Sequence, residues 1–421
     1  MSRPGAAPRG GARGVLQGYN LRLYIVGQSL SNIGTFFQIV AQALLVLKLT
    51  GRASSLGESI ALQSLPMLLL GPWAGTILDR VNLRRLLVVI SLLAAVEAAA
   101  LGALTEAHLV TLRWVLLLSF GLGLIQPFNR PASQALLSEL VPRERIAGAV
   151  GVASSVQAMG RLGGPALGAV IYAWRGPATC FFCNAASYLV VVVALLLMRR
   201  SEMVPRARSK RENAALRDGL RYLRAQPLLS DVLTVNVLIG LTVFNFQTVF
   251  PAMIRFVFRT GSVSLGITMS IEASAAVTGG ILLARYLRQP TRRALGIVCI
   301  LITVVFVWST LAPSIAVFYA AMVPFGFVMV GYTSISQTLI QQHTQPEYLG
   351  RTVSLLSLGQ MGTTPMGAIF TGWLTDAVSA RASMGLGAVG AALSALYLLT
   401  RSAKQTALHA PAPLTDQLST T

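Results

Sequence analysis

The stretch 71-GPWAGTILDRVNLRR-85 begins apolar and ends in a cluster of charged residues. Asp79, Arg80, Arg84 and Arg85 stand within seven residues, between one hydrophobic run and the next. Because each flanking run is long enough to cross a bilayer as a helix, the segment predicts a tight loop at a membrane surface. A loop of this kind is typical of a chain that crosses the membrane repeatedly.

The composition indicates a membrane fold along the whole chain of 421 residues. It is 54% hydrophobic and 11% charged, whereas a soluble protein is about a quarter charged. Apolar runs long enough to cross a hydrocarbon core of about 30 Å recur throughout, and period-two alternation is absent. We therefore predict an all-α membrane protein with twelve transmembrane helices. The predicted spans, numbered in chain order, cover about residues 21–47, 57–78, 84–104, 112–136, 146–172, 178–198, 230–254, 263–284, 294–312, 315–340, 350–374 and 383–400.

The basic residues are distributed unevenly between the two sides of the predicted membrane protein. The net charge of +20 would by itself be compatible with nucleic-acid binding. With the N-terminus in the cytoplasm, 26 of the 34 Lys and Arg residues fall inside, seven outside and Arg161 within a helix. Arg130 is counted among the inner residues that follow span four. This positive-inside bias predicts two cytoplasmic termini, a place in the bacterial cytoplasmic membrane and no nucleic-acid partner.

The polar segments divide the chain into five predicted parts. They are a disordered cytoplasmic tail at 1–19, a six-helix bundle at 20–200, a basic cytoplasmic linker at 201–228, a second six-helix bundle at 229–402 and a cytoplasmic tail at 403–421. A short amphipathic helix is expected in the linker at about 212–224. Cys180 and Cys183 have the spacing of half a zinc site, but the sequence has no second pair and no nearby histidine to complete it. There is also no Walker motif, so we predict no metal, no cofactor and no enzyme activity.

The two predicted bundles repeat weakly in sequence. Several residues of the first half recur 203 to 205 positions later, which favours two similar bundles in the same orientation with a site between them. The matching pairs are Gly75 with Gly280, Arg80 with Arg285, Gly123 with Gly326, Gln134 with Gln337 and Pro142 with Pro346.

The charged loop has the pattern Gly75-x-x-x-Asp79-Arg80-x-x-x-Arg84-Arg85, which resembles the signature loop of the major facilitator superfamily. Three more stretches are similar to its branch of enterobactin-type siderophore exporters and macrolide or multidrug exporters, over about residues 20–400. They are 27-GQSLSNIGTFFQ-38, 127-PFNRPASQALLSELVPRE-144 and 346-PEYLGRTVSL-355. The chain departs from the family at Asn82 and Leu83, and at Thr35, where this branch often carries an aspartate. The resemblance implies the major facilitator fold, in which two pseudo-symmetric bundles enclose the site.

The resemblance also implies that the loop forms a gate at the inner surface. The gate residues are Gly75, Asp79, Arg80, Arg84 and Arg85. Gly75 would let another helix approach span two, and the Asp79 carboxylate would accept hydrogen bonds from the start of span eleven, near residues 346–351. The arginines would pair with acids and lipid phosphates. The position of Asp79 is Ala284 in the second half, so we expect the latch on one side only. Alternatively, the arginines only fix the topology.

Span five contains 160-GRLGGPALGA-169, which resembles the superfamily motif associated with exporters. Its motif residues are Gly160, Gly164, Pro165 and Gly168. Small residues allow a tight helix crossing, and Pro165 removes one backbone hydrogen bond and bends the helix. By resemblance this face lies against span eight, at the junction of the halves. Ordinary small-residue packing is the alternative.

Two acidic residues fall well inside predicted spans, Glu97 in span three and Glu272 in span eight. Ionisable groups within a bilayer are costly and are candidates for function. Arg161 and Glu272 lie at similar depths, so they can form an ion pair between the halves if spans five and eight touch. We predict Glu272, Arg161 and Glu97 as proton-coupling residues. A static buried pair is the alternative for the first two, and snorkelling or binding within its own half is the alternative for Glu97.

Spans one, four, seven and ten should line the cavity between the halves. Amides and aromatic rings outnumber full charges there, which suits an amphipathic or weakly polar substrate. Helix packing is the alternative for each residue taken singly. The predicted cavity residues are Asn32, Phe36, Gln38, Asn245, Phe246, Gln247, Tyr332 and Gln337.

These patterns predict a secondary active transporter that exports a small organic compound, such as a drug, macrolide or siderophore, in exchange for protons. The predicted partners are a small-molecule substrate, protons and membrane lipid, and we expect a monomer. One alternative is an importer or facilitative uniporter of a small metabolite. A non-transporting membrane sensor that keeps the transporter fold is another.

Overall fold

The computed structural model describes residues 18–78, 80–203, 216–286 and 290–408. Within these ranges all regular secondary structure is helical. Three short helical turns lie at Arg143–Arg145, Arg200–Glu202 and Met253–Val257, the last being a π-helix. The α-helices are α1 (Tyr19–Thr50), α2 (Ala53–Leu78), α3 (Leu83–Glu106), α4 (Leu112–Glu139), α5 (Ile146–Arg175), α6 (Pro177–Leu197), α7 (Leu216–Ala225), α8 (Pro227–Thr242), α9 (Phe246–Ala252), α10 (Ser262–Tyr286), α11 (Arg292–Leu311), α12 (Ile315–His343), α13 (Pro346–Met361), α14 (Thr364–Ala377) and α15 (Ala380–Leu408).

Two predicted spans are each broken into two helices. Span seven is α8 and α9, separated at Asn245, whose side-chain amide donates to the backbone oxygen of Leu241 at 2.7 Å. Such a bond competes with the regular helix ladder. Span eleven is α13 and α14, separated at Gly362 and Thr363. Pro365 has no N–H to continue the first helix, and its ring disfavours a helical carbonyl four residues earlier.

Eight helical segments of the described chain are long and apolar enough to cross a membrane. The remaining predicted spans correspond to α2, α4, α5 and the broken pair α13 and α14. Three of these helices direct polar side chains into a central cavity, among them Gln63 of α2, Arg130 of α4 and Arg161 of α5. These polar side chains lower the mean hydropathy of helices that are long enough to cross a bilayer. The number of twelve transmembrane helices therefore stays a prediction.

Most helices before α7 pack on one another, as do most of those after it, while α5 with α10 and α2 with α14 join the two halves. In the first half α1 contacts α5 and α6, α2 contacts α4, and α3 contacts α6. In the second half α10 contacts α12, α11 contacts α15, and α8 contacts α13 and α15. The predicted repeat has a structural counterpart, because a side chain at Gly123 would overlap the backbone oxygen of Gln63, and one at Gly326 that of Glu272. Both glycines therefore let a neighbouring helix pass unusually close.

The short helix predicted in the linker is present as α7. The ring of Tyr222 in α7 stacks on Tyr348 of α13, with 4.3 Å between the ring centroids. The Tyr222 hydroxyl also accepts a hydrogen bond from the backbone N–H of Gln345 at 3.1 Å. These contacts fix α7 beside the start of α13, which begins at Pro346 as expected. The membrane face that carries α7 is called the linker side below, and the other face the opposite side.

The predicted tails are only partly described. Helix α15 continues to Leu408, past the predicted domain boundary at residue 402. Residues 1–17 and 409–421 lie outside the described residues, and so does most of the linker, at 204–215.

Candidate functional site

A cavity of about 600 Å³ lies between the two halves. Its first-half wall is rich in amides, from α1, α2, α4 and α6. Its second-half wall combines amides with apolar and aromatic side chains from the α8–α9 break, α12 and the α13–α14 break. The principal lining residues are Gln38, Gln42, Gln63, Gln126 and Asn184 in the first half and Phe244, Phe246, Gln247, Met329 and Met361 in the second. Such a mixed wall can hold one amphipathic organic molecule.

Four of the eight predicted cavity residues line this space, namely Gln38, Asn245, Phe246 and Gln247. Among the other four, Tyr332 is fully buried behind the wall, with its ring 6.2 Å from that of Phe244. Gln337 is exposed and lies outside the lining.

Asn32 and Phe36 lie between helices instead of in the cavity wall. The Cβ atoms of these residues lie over Gly160 and Gly164 of α5, where an added Cβ would come within 3.0 and 2.8 Å of them. The predicted exporter motif therefore packs its glycine face against α1. The predicted partner, α10, is also in extensive contact with α5, where Pro165, Ala166 and Ala169 lie against Gly266. The third motif glycine, Gly168, likewise faces Phe37 of α1.

The opposite edge of α5 meets the start of α10. The Ser262 hydroxyl donates to the backbone oxygen of Ala169 at 3.0 Å. A side chain at Gly266 would collide with the backbone oxygen of Pro165 at 2.8 Å. The two halves are thus tightly joined here, toward the opposite side.

Arg161 and Glu272 form an ion pair between the two halves. Arg161 Nη2 donates to Glu272 Oε1 at 2.9 Å, and both residues line the cavity. Glu272 is only 6% exposed, whereas 45% of the Arg161 side chain is exposed. The contact expected from their equal depths is present, and its part in proton coupling stays a prediction.

Glu97 is buried within the first half and does not snorkel. Both of its carboxylate oxygens accept hydrogen bonds from Gln38 Nε2, at 3.1 and 3.0 Å. Gln38 Oε1 in turn accepts from Asn184 Nδ2 at 2.5 Å. Gln38 and Asn184 line the cavity and Glu97 lies behind them. Any effect of Glu97 on a substrate would therefore pass through these two amides.

Asp231 is a third buried acid, which the sequence interpretation assigned to a loop or a helix end. It lies in α8 with 2% exposure and contacts Arg292, while its Oδ1 accepts from the Tyr397 hydroxyl at 2.9 Å. Arg401 stands 3.9 Å from the same oxygen. These partners come from α11 and α15, so Asp231 cross-links the second half away from the cavity.

Arg130 was wrongly counted with the loop residues of the inner side. It lies inside α4, nine residues before that helix ends at Glu139, and it lines the cavity. Its position within the predicted span 112–136 could have identified it, as it did for Arg161.

The predicted gate loop is described only in part. Asp79 lies outside the described residues, and Gly75 falls in the last turns of α2. Arg80 and Arg85 are exposed. Arg84 donates from Nε to the backbone oxygen of Leu195 at 2.6 Å and from Nη2 to that of Leu196 at 2.7 Å. Arg84 therefore binds carbonyl groups at the end of α6, as cations often do, and its pairing with an acid or a lipid phosphate stays a prediction.

On the opposite side the halves are joined by an acid that the sequence interpretation did not select. Asp376, near the end of α14, accepts hydrogen bonds from the backbone N–H groups of Ala53 at 2.7 Å and Ser54 at 2.9 Å. These are unsatisfied donors at the start of α2, where the helix dipole favours an anion. A side chain at Gly57 would overlap the backbone oxygen of Ala368, so α2 and α14 are in close contact. The spacing Gly372-x-x-x-Asp376 repeats that of Gly75-x-x-x-Asp79, and this signal could have identified it.

Substituting Asp376 with alanine should loosen this contact. Loss of a carboxylate that accepts two bonds at a helix start costs about 1–2 kcal/mol, which corresponds to a shift of about 5- to 30-fold toward separation on the opposite side. Spin labels at Leu109 and Val378, both exposed, would report the separation as a longer distance. Asp376→Asn, which keeps one acceptor, should give an intermediate shift. Identical distance distributions in all three proteins would contradict the assignment.

The family comparison shows which kind of protein carries this cavity. Residues 17–417 match the family described as "Transmembrane secretion effector", a family of major facilitator transporters. The chain belongs to this family. Since the family consists of transporters and not of enzymes, the chain is a multi-pass membrane transporter of the major facilitator superfamily.

Similar proteins extend over most of this major facilitator transporter. Macrolide efflux protein A of Streptococcus pyogenes is 23% identical over 367 residues, which cover 86% of this chain and 91% of that protein. Multidrug efflux pump Tap of Mycolicibacterium fortuitum is 26% identical over 378 residues, with the same two coverages of 86% and 91%. The predicted resemblance to the efflux branch is confirmed. The solved structure of a bacterial homologue of human lysosomal Spinster, inward-facing and occupied, has a TM-score of 0.75 at 15% identity over 95% of this chain and 98% of that one. That likeness concerns the fold alone.

Proposed function

We propose that this transporter exports a small organic compound, such as a drug, macrolide or siderophore, in exchange for protons. The observation that carries the proposal is the ion pair between Arg161 and Glu272, which joins the two halves in the wall of their shared cavity. Cavities of this type bind organic molecules, and a carboxylate within a bilayer is a natural proton carrier. The names of the efflux relatives agree with this direction of transport.

The proposed transport cycle uses alternating access, with one latch at each surface. Asp376 holds the start of α2 on the opposite side, and we propose that Asp79 holds the start of α13 on the linker side when the halves rock the other way. With the linker side in the cytoplasm, as the positive-inside bias indicates, the structure corresponds to a state closed to the outside. Twelve spans in two bundles of six, cytoplasmic termini and a monomeric protein complete the proposal.

The proposed coupling step is protonation of Glu272. In the ion pair the negative carboxylate attracts the Arg161 guanidinium, which holds α5 and α10 together. A proton on Glu272 removes that charge–charge attraction and leaves a weaker hydrogen bond from the charged guanidinium to a neutral carboxyl group. The halves can then separate more easily on the opposite side, and the substrate can leave the cavity there. Glu97 is the second candidate carrier, acting through Gln38.

The proposal can be tested by measuring proton movement induced by substrates in inside-out vesicles. We expect a macrolide or another compound of an efflux panel to dissipate the pH gradient with the wild type. We expect no such response with Glu272→Gln, which keeps the shape but cannot carry the proton. The matched control is Glu106→Gln, an exposed acid at the end of α3, and it should behave as the wild type does.

Three other outcomes would favour the alternatives. Transport without proton movement would indicate a uniporter, and accumulation in the opposite direction an importer. Absence of transport of any compound, with a folded protein, would favour a sensor that keeps the transporter fold. Full coupling in Glu272→Gln would transfer the role to Glu97.

A further inference from the structure

We infer that Arg130 is an anion-binding residue of the cavity, which selects substrates that carry a carboxylate or a similar oxyanion on an amphipathic body. The inference rests on the proposed function and specifies its substrate class. It leaves the proposed proton carrier unchanged, because Arg130 is separate from the pair of Arg161 and Glu272.

The first step is the state of the Arg130 side chain. It is exposed and belongs to the cavity wall. Among the described residues it has no hydrogen-bonding or ionic partner. A guanidinium presents a planar fork of donors that matches a carboxylate, and it stays charged under all physiological conditions. An arginine inside a membrane protein without a protein acid beside it therefore calls for an anion from outside the chain.

The second step is the charge balance of the wall. Of the described residues that line the cavity, only Arg130, Arg161 and Glu272 carry a full charge. Arg161 and Glu272 compensate one another at 2.9 Å, so that Arg130 leaves an excess of one positive charge. A monoanionic ligand would restore neutrality, whereas a cationic ligand would add to the imbalance.

The third step is the surroundings of Arg130. Gln126 precedes it by four residues in α4, so both side chains lie on the same helix face, and both line the cavity. Gln126 can donate a second hydrogen bond to an anion held by the guanidinium. Across the cavity, Phe244, Phe246 and Met329 offer an apolar surface for the rest of the molecule. A ligand with an acidic end and an apolar body satisfies both walls.

The depth of Arg130 also agrees with a role in substrate entry. It lies nine residues from the linker-side end of α4, or about 13 Å at the rise of an α-helix. Arg161 lies fifteen residues from the linker-side end of α5, or about 22 Å. An anionic substrate that enters from the linker side therefore meets Arg130 before it reaches the ion pair.

The test compares two fluorescent probes that differ in one charge, N-dansyl-leucine and its methyl ester. Binding to the full chain is measured in nanodiscs of neutral lipid, with protein-free nanodiscs as blanks. We expect the wild type to bind the carboxylate at least about tenfold more tightly than the ester, as one charge-assisted bidentate pair would give. Arg130→Gln should reduce this preference below about twofold, and Arg130→Lys should keep part of it. Arg113→Gln, an exposed arginine at the start of the same helix, should leave it unchanged.

An equal affinity of the wild type for both probes would overturn the inference while leaving a cavity that accepts organic compounds. A preference that survives Arg130→Gln would also overturn it. If Arg161→Gln loses the preference and Arg130→Gln keeps it, the anion binds at the ion pair and not at Arg130. Binding of neither probe would count against both the anion site and the proposed export of organic compounds, which the proton-flux experiment tests separately.

Discussion

Replacement of Gly57 by leucine should reduce transport at least about tenfold while leaving the protein folded. Gly57 lies where α2 and α14 are in close contact on the opposite side, and any side chain there overlaps the backbone oxygen of Ala368. A backbone atom cannot turn away as a side chain can, so the helices must separate. Overpacking of this kind costs about 1–3 kcal/mol or more, which is at least as large as the expected contribution of the Asp376 contact.

The consequence follows from the need for two closed states. A transporter that cannot close the opposite side spends little time in the state shown here, and its turnover falls with that population. A penalty of about 3 kcal/mol lowers the population of the closed state more than a hundredfold. We therefore expect at least about a tenfold loss of efflux in Gly57→Leu, measured with a compound that the wild type transports in the proton-movement experiment. The spin-label distance between positions 109 and 378 should lengthen in parallel.

The matched control lies on the same helix. An added Cβ at Gly71 meets nothing within 4 Å, so Gly71→Leu brings the same helix propensity and the same added volume without the overlap. It should transport normally and keep the short distance. Normal transport by Gly57→Leu, with unchanged distances, would mean that closure of α2 on α14 is not part of the cycle.

Depth along the helices was predictable from the sequence, and the direction in which side chains point was not. Arg161 and Glu272 were expected to meet because both lie mid-way along helices that the family resemblance brings together, and they do. The rise of a helix is fixed, so counting residues gives depth. Rotation about the helix axis depends on neighbours, which is why Asn32 and Phe36 face α5 while Gln38 faces the cavity.

Long-range contacts of single side chains were the other feature that the sequence interpretation missed. The carboxylate of Asp376 binds backbone groups more than 300 residues earlier in the chain. A backbone N–H has no sequence signature of its own, so such a contact is visible only through the repeated Gly-x-x-x-Asp spacing. Arg130 was missed for a different reason, since it was counted with the basic residues of the inner side although it lies within the predicted span 112–136.

Replacing first Arg161 and then both Arg161 and Glu272 by glutamine should show whether the ion pair couples protons to transport or only stabilises the fold. Arg161→Gln alone leaves the Glu272 carboxylate almost fully buried with no cation beside it. Removal of one partner of a buried pair is strongly destabilising, whereas replacement of both is often neutral. We expect Arg161→Gln to lose about 2 kcal/mol of stability, a value reduced because 45% of the Arg161 side chain is exposed. The double variant Arg161→Gln/Glu272→Gln should regain most of this loss, as thermal unfolding in detergent would show.

Transport should not follow stability in this series. If Glu272 carries the proton, the double variant is stable and still shows no substrate-induced proton movement in inside-out vesicles, because neither amide can be charged. If the pair only holds α5 and α10 together, the double variant recovers coupled transport along with stability. The reason is that its two amides can still form a hydrogen bond at the junction. Recovery of both properties would therefore contradict proton coupling through Glu272. Recovery of stability alone would support it, since restored packing would then be insufficient for coupling.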